Sequence, residues 1–588
     1  MTRRRTPSPS RAAPCSSARD GKLLTVTDGT TADQAASSDV NVNYTLTVGR
    51  NSVASLGTTD TTVAEEMFAN SKQTWGYSTG ETTAALLLEQ PVTLVDNSGG
   101  VKVDGSLTSS STTTNAASDT ATFGANSLLM VDLWDYTPVT STTTGTTALK
   151  AEDTTNSTLT VDSTAKLYLE NNAGGTQTYQ ITSGFNTTSG ASGWYTDTDN
   201  IVVNRLFEVT KTENGAVTIT NQDVRDVLPG VVLVNNINGL TADTNTTISK
   251  KSSNAGLRYI ANAVKNANSD ARATYLLNVA AQPAEVAGAS ATALENTQLL
   301  AQSVQDHFST LNSLERGSDN DIWVRYTHNY TKNDGLALDG LEADYDSNLN
   351  AITIGYDFEP TKNYRHGIAF SYGTGSTNAT DESDDYNIFG ASYYGNIKGT
   401  GKNAPSTLFD VGYYTTSHDI DGLIDVDPDT HAFTLGATAE WTIDKAKGFS
   451  IVPHVGLRYT YLDTPGYDGT YDGGTAFRYS PSSASVLTLP VGIGLTSDHV
   501  QGGWRYRFSA DLSYIPTLSG RDTDMDVQTN GYSFTDNISY DLADANQVLL
   551  RLGYSGETKT QGWNIGASYH TGGDTDGADI TAQYHWKF

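Results

Sequence analysis

The sequence predicts an all-β membrane protein: a 12-stranded antiparallel outer-membrane β-barrel preceded by a lumen helix, with an N-terminal β-rich region read as a β-solenoid. Three observations predict it. The last ten residues alternate strictly, with Ile580, Ala582, Tyr584, Trp586 and Phe588 apolar and Asp579, Thr581, Gln583, His585 and Lys587 polar. A period of two is a strand with one greasy and one wet face. From Asp321 onward, twelve such segments succeed one another. No apolar run reaches the ~20 residues of a spanning helix, so a membrane domain in this chain has to be a closed barrel, which pairs every backbone group in lipid.

Composition narrows the function classes. The formal charge is −30, from 36 basic and 66 acidic residues, which argues against nucleic acid because its phosphates would repel the chain. Cys15 is the single cysteine, so there is no intramolecular disulfide and no cysteine-based metal cage. Residues 1–22 read as a non-structural N-terminal segment. Arg3, Arg4 and Arg5 are followed by Pro, Ser and Arg instead of the apolar stretch of a clear signal peptide.

Residues 23–238 read as the β-rich region. A short unit recurs in it: Leu46-Thr47-Val48-Gly49 then Ser52-Val53-Ala54; Ala121-Thr122-Phe123-Gly124 then Ser127 to Val131; Leu159-Thr160-Val161-Asp162 then Ala165 to Leu169. Strand, turn, strand units that bury an apolar face only against their neighbours make a solenoid. The Ser/Thr tracts Ser106–Thr114 and Thr140–Thr147 read as loops. Over 173–234 the strands are closer and richer in aromatics, with Tyr179, Phe185, Trp194, Tyr195 and Phe207. That is expected of a compact β cap, which a terminal repeat needs.

Residues 239–320 change period and read as a linker with helices. Leu257, Ile260, Ala261 and Val264 fit one helix, and Ala273, Leu276, Leu277 and Ala280 a second that Pro283 ends. A pore helix is expected over 293–315, with Leu300, Val304, Phe308, Leu311 and Leu314 along one side.

Residues 321–588 read as the barrel. Short turns carrying Lys362, Lys398, Lys402, Lys445, Lys447 or Lys559 alternate along the chain with longer acidic loops such as Asp381 to Asp385, Asp419 to Asp427 and Asp522 to Asp526. Short turns at one rim and long loops at the other are the periplasmic/exterior asymmetry of bacterial barrels. An even strand number puts both barrel ends at the short-turn rim. Arg325, Asp410, Glu440, Arg458, Arg505, Arg507, Asp511 and Arg551 all fall on the polar phase. They are the expected lumen lining, either as structural ion pairs or as a polar surface for a guest segment.

The pre-barrel helix, the twelve strands and the terminal run through Tyr584-His585-Trp586-Lys587-Phe588 resemble the autotransporter (type V secretion) family over about 254–588. The stretch 173–234 resembles the end of a β-helical passenger. The resemblance implies a translocator barrel in the outer membrane of a Gram-negative bacterium that delivers its own passenger to the cell surface, with the helix plugging the pore. It also implies an assembly signal at Tyr584, Trp586 and Phe588 read by the barrel-assembly machinery, escort by periplasmic chaperones, and contact with outer-membrane lipid.

No enzyme is expected in the passenger. Gly76-Tyr77-Ser78-Thr79-Gly80 has the G-x-S-x-G spacing, but all nine histidines lie at or after His307, so no Ser-His-Asp triad and no histidine-based zinc site can be built there. Gly401-Lys402 fails as a phosphate loop, because Asn396 and Asn403 stand where Gly and Ser/Thr are required. Asp132 and Asp135 form a carboxylate pair by spacing alone. The expectation is a non-catalytic adhesin or interaction stalk with an unknown extracellular ligand, no cofactor, no metal and no catalytic residue. The alternative is a translocator for an enzymatic passenger lying upstream or working with carboxylates only.

Overall fold

The computed structural model describes residues 22–25, 40–42, 45–56, 67–68, 83–95, 99–108, 110–113, 119–188, 192–312, 320–338, 341–361, 363–400, 404–446 and 448–588. Cys15, the Gly76–Gly80 run, Leu314, Lys362, Lys402 and Lys447 lie outside the described residues. The chain divides into two compact units.

The first unit comprises residues 1–227, 240–249 and 264–270. It is a three-faced parallel solenoid. One face stacks Lys22–Thr25, Ser52–Leu56, Ala84–Leu88, Ser127–Asp132, Lys166–Glu170 and Ile201–Val203 in register. The other two faces stack Val40–Val42, Val92–Leu94, Thr147–Ala151 and Gln177–Ser183, and Thr45–Val48, Gly100–Val103, Thr120–Phe123 and Thr158–Val161. The repeated unit seen in the sequence is the step from the last of these faces to the first. Its tight turn places Asn51 and Asn126 at φ +55° and +53°, a left-handed conformation that asparagine tolerates.

Inside, Ala54, Leu86, Leu129, Leu167 and Ile201 form one column. Each fully buried leucine in it contributes on the order of 1.5–3 kcal/mol. The outer side of the same sheet is also apolar, and Val53, Leu87, Met130 and Tyr168 pack under Met67.

Two expectations change here. The region 173–234 is not a separate cap. Gln177–Ser183 and Ile201–Val203 continue the parallel rungs, and only the hairpin Phe207–Glu213/Ala216–Asn221 turns antiparallel to close the stack. Ser111–Thr113, read as loop, is a strand pairing antiparallel with Thr45–Val48. The last rung also takes residues from beyond the hairpin. Lys265, 4% exposed, ion-pairs with Glu170 at 3.0 Å and donates to the Asn172 side chain at 2.5 Å. Such a charge is tolerated inside only because it is paired and hydrogen-bonded.

The second unit comprises residues 228–239, 250–263 and 271–588. Its twelve strands close antiparallel: β1 Asp321–Leu338, β2 Leu341–Thr361, β3 Tyr364–Ala379, β4 Ser383–Lys398, β5 Ser406–Asp421, β6 Asp429–Glu440, β7 Phe449–Thr464, β8 in two pieces Ser482–Thr488 and Val491–Gln501, β9 Trp504–Ser519, β10 Asn546–Glu557, β11 Gln561–Thr571 and β12 Thr575–Lys587. The barrel closes through β1–β12, with Asp321 opposite Lys587, so both barrel ends lie at the short-turn rim.

Alternation sets the two faces. Ile354 (55% exposed), Phe370 (53%) and Leu435 (48%) point outward, an apolar belt that suits lipid and would not suit water. β8 breaks at Leu489-Pro490, where the missing N–H of proline interrupts the ladder.

The Asp522–Asp526 stretch read as an acidic loop is strand, one of two further hairpins. Tyr467–Tyr471 pairs with Gly474–Tyr479, and Asp522–Thr529 with Thr535–Asp541. The second hairpin alternates exposed Asp524 and Asp526 with buried Met525 and Val527. Its apolar face turns inward and its outer face is solvated, the reverse of the lipid-facing strands.

The helices before the barrel are α1 Val234–Ala242, α2 Ala255–Asn266, α3 Asp270–Ala281 and α4 Ala289–Asp306. Pro283 ends α3 as expected, and opens the single turn Pro283–Val286. The pore helix spans 289–306 and not 293–315. Gly288 at φ +72° starts it. Beyond Asp306, His307 to Asn312 form successive turns whose polar groups are taken up by the barrel wall. No helix of the described residues is long and apolar enough to cross a membrane.

Candidate functional site: the filled lumen

α4 lies inside the barrel, and its direction follows from its partners. Near its start, Glu295 accepts hydrogen bonds from Asn329, at 3.0 Å, and from Thr331, both in the upper half of β1. Just past its end, His307 meets Asp357 at 2.8 Å, and Asp357 is the register partner of Asp321 at the start of β1. The helix therefore runs from the long-hairpin rim to the short-turn rim.

The lumen has two kinds of wall. Around the N-terminal half of α4, Val286, Leu294, Leu300 and Ala301 pack against Leu349, Tyr386, Ile388, Tyr414, Leu462, Val486 and Tyr540. Near the helix end, Val304 and Phe308 pack on Trp323, Ala369, Tyr394 and Leu408. The inward aromatics fit because a neighbouring strand carries glycine where the ring lies. A Cβ at Gly355 would come within 2.3 Å of the Trp323 ring, and one at Gly390 within 2.2 Å of Tyr414.

The charged lining sits on the other contacts. Arg458 clamps Asp410 with two hydrogen bonds, 3.0 and 2.8 Å, and reaches Gln302 of the helix at 3.3 Å. Asp410 accepts from Gln305 at 2.9 Å. Arg325 donates to Gln583 at 2.9 and 2.5 Å and to the Ser303 carbonyl. Arg551 holds Asp306 at 2.7 Å.

Glu440 accepts from the Ser309 hydroxyl at 2.5 Å and from the Thr310 N–H at 2.9 Å. Arg507 donates to the Thr310 carbonyl and pairs with Asp498 at 2.7 Å. Arg505 also pairs with Asp498, at 3.1 Å, at the short-turn rim. Asp511 accepts from Ser513 at 2.8 Å and lies 3.6 Å from His454.

Of the expected pore-helix residues, Leu300 and Val304 are on α4. Phe308 and Leu311 follow its end and are buried all the same. Tyr584, Trp586 and Phe588 lie on the outward phase of the terminal segment, with Trp586 47% and Phe588 63% exposed.

Several lumen residues were missed by sequence reasoning. Tyr394 donates to Asp357 at 2.5 Å, Trp323 to Tyr394 at 2.6 Å, and His307 meets Gln583 at 2.7 Å. The available signal was phase: Trp323 and Tyr394 are aromatics on the wet side of their strands. Where the helix does not touch the wall, a cavity of about 240 Å³ remains, lined by Gln298, Gln302, Asp306, His454, Asp511 and Arg551. In the solenoid, Asp132 is not a free carboxylate, since it accepts from the Trp134 N–H at 3.1 Å and the Asn172 amide at 3.1 Å.

A closed twelve-stranded barrel with an apolar belt and a polar lumen occupied by its own N-terminal helix is an outer-membrane protein of the self-plugged kind. The family model of the autotransporter beta-domain matches residues 322–570, and the barrel of this chain belongs to that family. It sits in the outer membrane of a Gram-negative bacterium.

Among solved structures, the chain is similar to the translocator domain of the autotransporter NalP from Neisseria meningitidis, at 13% identity and a TM-score of 0.40, covering 52% of this chain and 99% of that one. It is also similar to the transport unit of the autotransporter AIDA-I from Escherichia coli, at 18% identity, a TM-score of 0.36 and coverage of 52% and 98%. A third is the beta domain of the Bordetella autotransporter BrkA, at 15%, 0.34, 46% and 100%. A comparison with characterised protein sequences returns no match.

Proposed function

We propose that the barrel passes the chain preceding α4 through the outer membrane and leaves it outside, and that the solenoid is a non-catalytic adhesin or interaction stalk. One observation carries the translocation reading. α4 enters from the long-hairpin rim and is locked at the short-turn rim beside the start of β1 by Asp357, Glu440, Arg551 and Arg507. Everything N-terminal to α4 therefore leaves by the long-hairpin rim, which is the exterior of a bacterial barrel. A helix of 18 residues is about 27 Å long at 1.5 Å per residue, close to the hydrocarbon thickness.

The non-catalytic reading is supported by the lack of histidine before His307 and by the structural engagement of Asp132. Recognition of Tyr584, Trp586 and Phe588 by the barrel-assembly machinery, escort by periplasmic chaperones, and an extracellular ligand for the solenoid belong to the same proposal.

The test is a cysteine pair, Val304→Cys with Leu408→Cys, in a Cys15→Ser chain exported behind a functional signal peptide. Oxidation is expected to yield a compact species in the outer-membrane fraction, with the solenoid digestible by protease added to intact cells. A pair that stays reduced, or a solenoid protected until the cells are lysed, overturns the reading.

A further inference from the structure

Two turns meet at the long-hairpin rim, the one that leads into α4 and the one between β3 and β4. The first, Pro283–Val286, is a single helical turn tied at its start. The Gln282 N–H donates to the Val279 carbonyl at 3.1 Å, and the Val286 N–H to the Gln282 carbonyl at 2.9 Å. This turn packs on Leu341–Thr361 and on the short strand Asp425–Val426. Gln282 and Glu285 are three residues apart along it, so their side chains leave it on one side.

The second turn is closed by the Ala379 N–H, which donates to the Glu382 carbonyl at 2.9 Å. Its Asp381 is held from α3, by the Tyr275 hydroxyl at 3.0 Å and by Arg272 at 3.4 Å. Glu382 points inward instead and is 5% exposed. Gly422 makes the room, since a Cβ there would come within 2.7 Å of the Glu382 side chain. The Gly422 N–H in turn donates to Asp425 at 3.2 Å, on the strand that supports Pro283–Val286. The strongest charge that Glu382 meets is Glu285.

These three side chains are buried and incompletely satisfied. Gln282 is fully buried and Glu285 is 3% exposed. Both oxygens of Glu382, Oε2 of Glu285 and both amide atoms of Gln282 find no hydrogen-bond partner among the described residues. Gln282 stands at the start of its turn, yet its side chain caps no N–H. The base beside the second turn, Arg272, faces Asp381. Buried charges need a paired base or a metal ion. Two neighbouring carboxylates with no base between them, joined by an unused amide, are an arrangement that a cation relieves.

The donor set defines the cation. Every ligand atom on offer is an oxygen: the Glu285 and Glu382 carboxylates and the Gln282 amide Oε1. With no imidazole or thiolate in the set, a hard cation is favoured over a transition metal. Calcium accepts bidentate carboxylates and amide oxygens in a flexible shell, whereas magnesium keeps several waters, for which so closed a site leaves little space. Among the described residues no three acidic, histidine or cysteine side chains gather around a metal-sized centre, and here the third oxygen is an amide. The sequence therefore suggested no metal, because Gln282 and Glu285 lie far from Glu382 in the chain. Asp419, Asp421, Asp425 and Asp427 sit close together in the neighbouring loop, and a mouth lined by one sign of charge concentrates cations.

We infer that Gln282, Glu285 and Glu382 form a calcium site at the exterior mouth of the barrel, which ties the entry of the lumen helix to the β3–β4 turn. The site goes beyond the translocation reading and draws on it only for the medium that the mouth meets. With calcium bound, both carboxylates are held ionised. Without it, a proton on one of them relieves the pair.

The experiment uses the full chain purified in detergent. Terbium(III) is the probe, and Tyr467, Tyr479 and Tyr540, for each of which Glu285 is the strongest neighbouring charge, sensitise its emission. The parent is expected to give a saturable emission that calcium competes away. Glu285→Gln and Glu382→Gln imitate the neutral acids and should keep heat-modifiable migration. Each is expected to weaken terbium binding by about tenfold or more, as loss of even an outer partner of a metal does. Gln282→Leu leaves both carboxylates in place and should weaken it too, which keeps the test open if the double variant Glu285→Gln with Glu382→Gln fails to fold. Calcium should raise, and EDTA lower, the temperature at which the parent barrel loses its compact migration, and the double variant should ignore both. Parental emission in the double variant puts the ion on the exposed acidic loops and overturns the site. A parent that ignores calcium and EDTA but gains heat resistance as the pH falls holds only a proton there, which overturns it as well. Both quantities are read on purified protein, so this site and the export reading stand or fall separately.

Discussion

The solenoid and the barrel are built from the same period-two strands and bury opposite faces. In the solenoid, Leu86, Leu129 and Leu167 point inward and are completely buried. In the barrel, Ile354, Phe370 and Leu435 point outward, while Arg325, Asp410 and Arg458 are inside and at most 5% exposed. Solenoid strands are parallel, stacked rung on rung. Barrel strands are antiparallel and closed. The difference teaches that alternation specifies two faces but not which one meets water. That is decided by what closes the structure: a stack closes around its own side chains, and a barrel of this size encloses a lumen that its own chain fills.

The largest expected effect is on the barrel's interior charges. Asp410→Ala leaves Arg458 buried without its clamp and is expected to cost about 3–5 kcal/mol, because a lone buried charge is far worse than none. The double change Asp410→Leu with Arg458→Met should recover most of that loss. Denaturant unfolding of the reconstituted protein, followed by heat-modifiable migration, checks both. Equal losses in the single and double variants would show that the pair is solvated and the lumen wetter than its geometry implies.

A smaller contrast separates the two apolar faces. Leu129→Ala in the solenoid is expected to cost about 2–5 kcal/mol, since it adds a cavity to the lost transfer energy. Leu435→Ala on the barrel exterior should cost roughly 2 kcal/mol from lost apolar burial alone, because lipid closes over the gap. Leu435→Arg should raise its cost to about 2–4 kcal/mol if this residue lies near the bilayer midplane. Denaturant midpoints of the two transitions in the full chain measure these. A cavity-sized penalty at Leu435 would mean that this face packs on protein.

The smallest effect sits in the turn between β3 and β4. Burial, then the neighbouring Glu285 and Asp381 carboxylates, push Glu382 up to about 9. A raised carboxylate pKa means that the folded turn prefers the neutral acid. Its contribution is complete below the ordinary carboxylate value of 4.5 and is lost as pH rises through about 9. The protection of amides 380–382, with the intrinsic base-catalysed rise in exchange divided out, should therefore fall as pH rises from 7 to 10, and Glu382→Gln should flatten that profile. The turn can fray into water without opening the barrel, which keeps the effect local. A profile identical in both proteins would show that another group titrates.

Much of the barrel is legible because lipid enforces it residue by residue. Ile322, Val324 and Tyr326 could not have been polar, and Trp323 and Arg325 were free to be anything that fits a lumen. The polar phase therefore told which side Arg458, Asp410 and Glu440 face, but not that Arg458 clamps Asp410 or that Glu440 holds Ser309 and Thr310. The helix end was overrun for a related reason. Phe308 and Leu311 keep the apolar spacing after Asp306, because the turns that follow bury them in the same wall. Apolar spacing reports burial, and burial continues past the last helical hydrogen bond.

By itself the sequence determined the strand count, the outward face, the rim at which the barrel begins and ends, and the existence of a helix before it. Each is local, set by period, turn length or parity. Only the tertiary structure decided which wall groups hold the lumen helix, that the β-rich region is a three-faced stack continuing to Ile201–Val203, and that the β9–β10 hairpin grips Asn236. Those depend on pairs separated by tens to hundreds of residues, such as Asn236 and Asp536. A buried amide or carboxylate finds whichever partner the closed barrel brings to it, and nothing in its own neighbourhood of the chain names that partner.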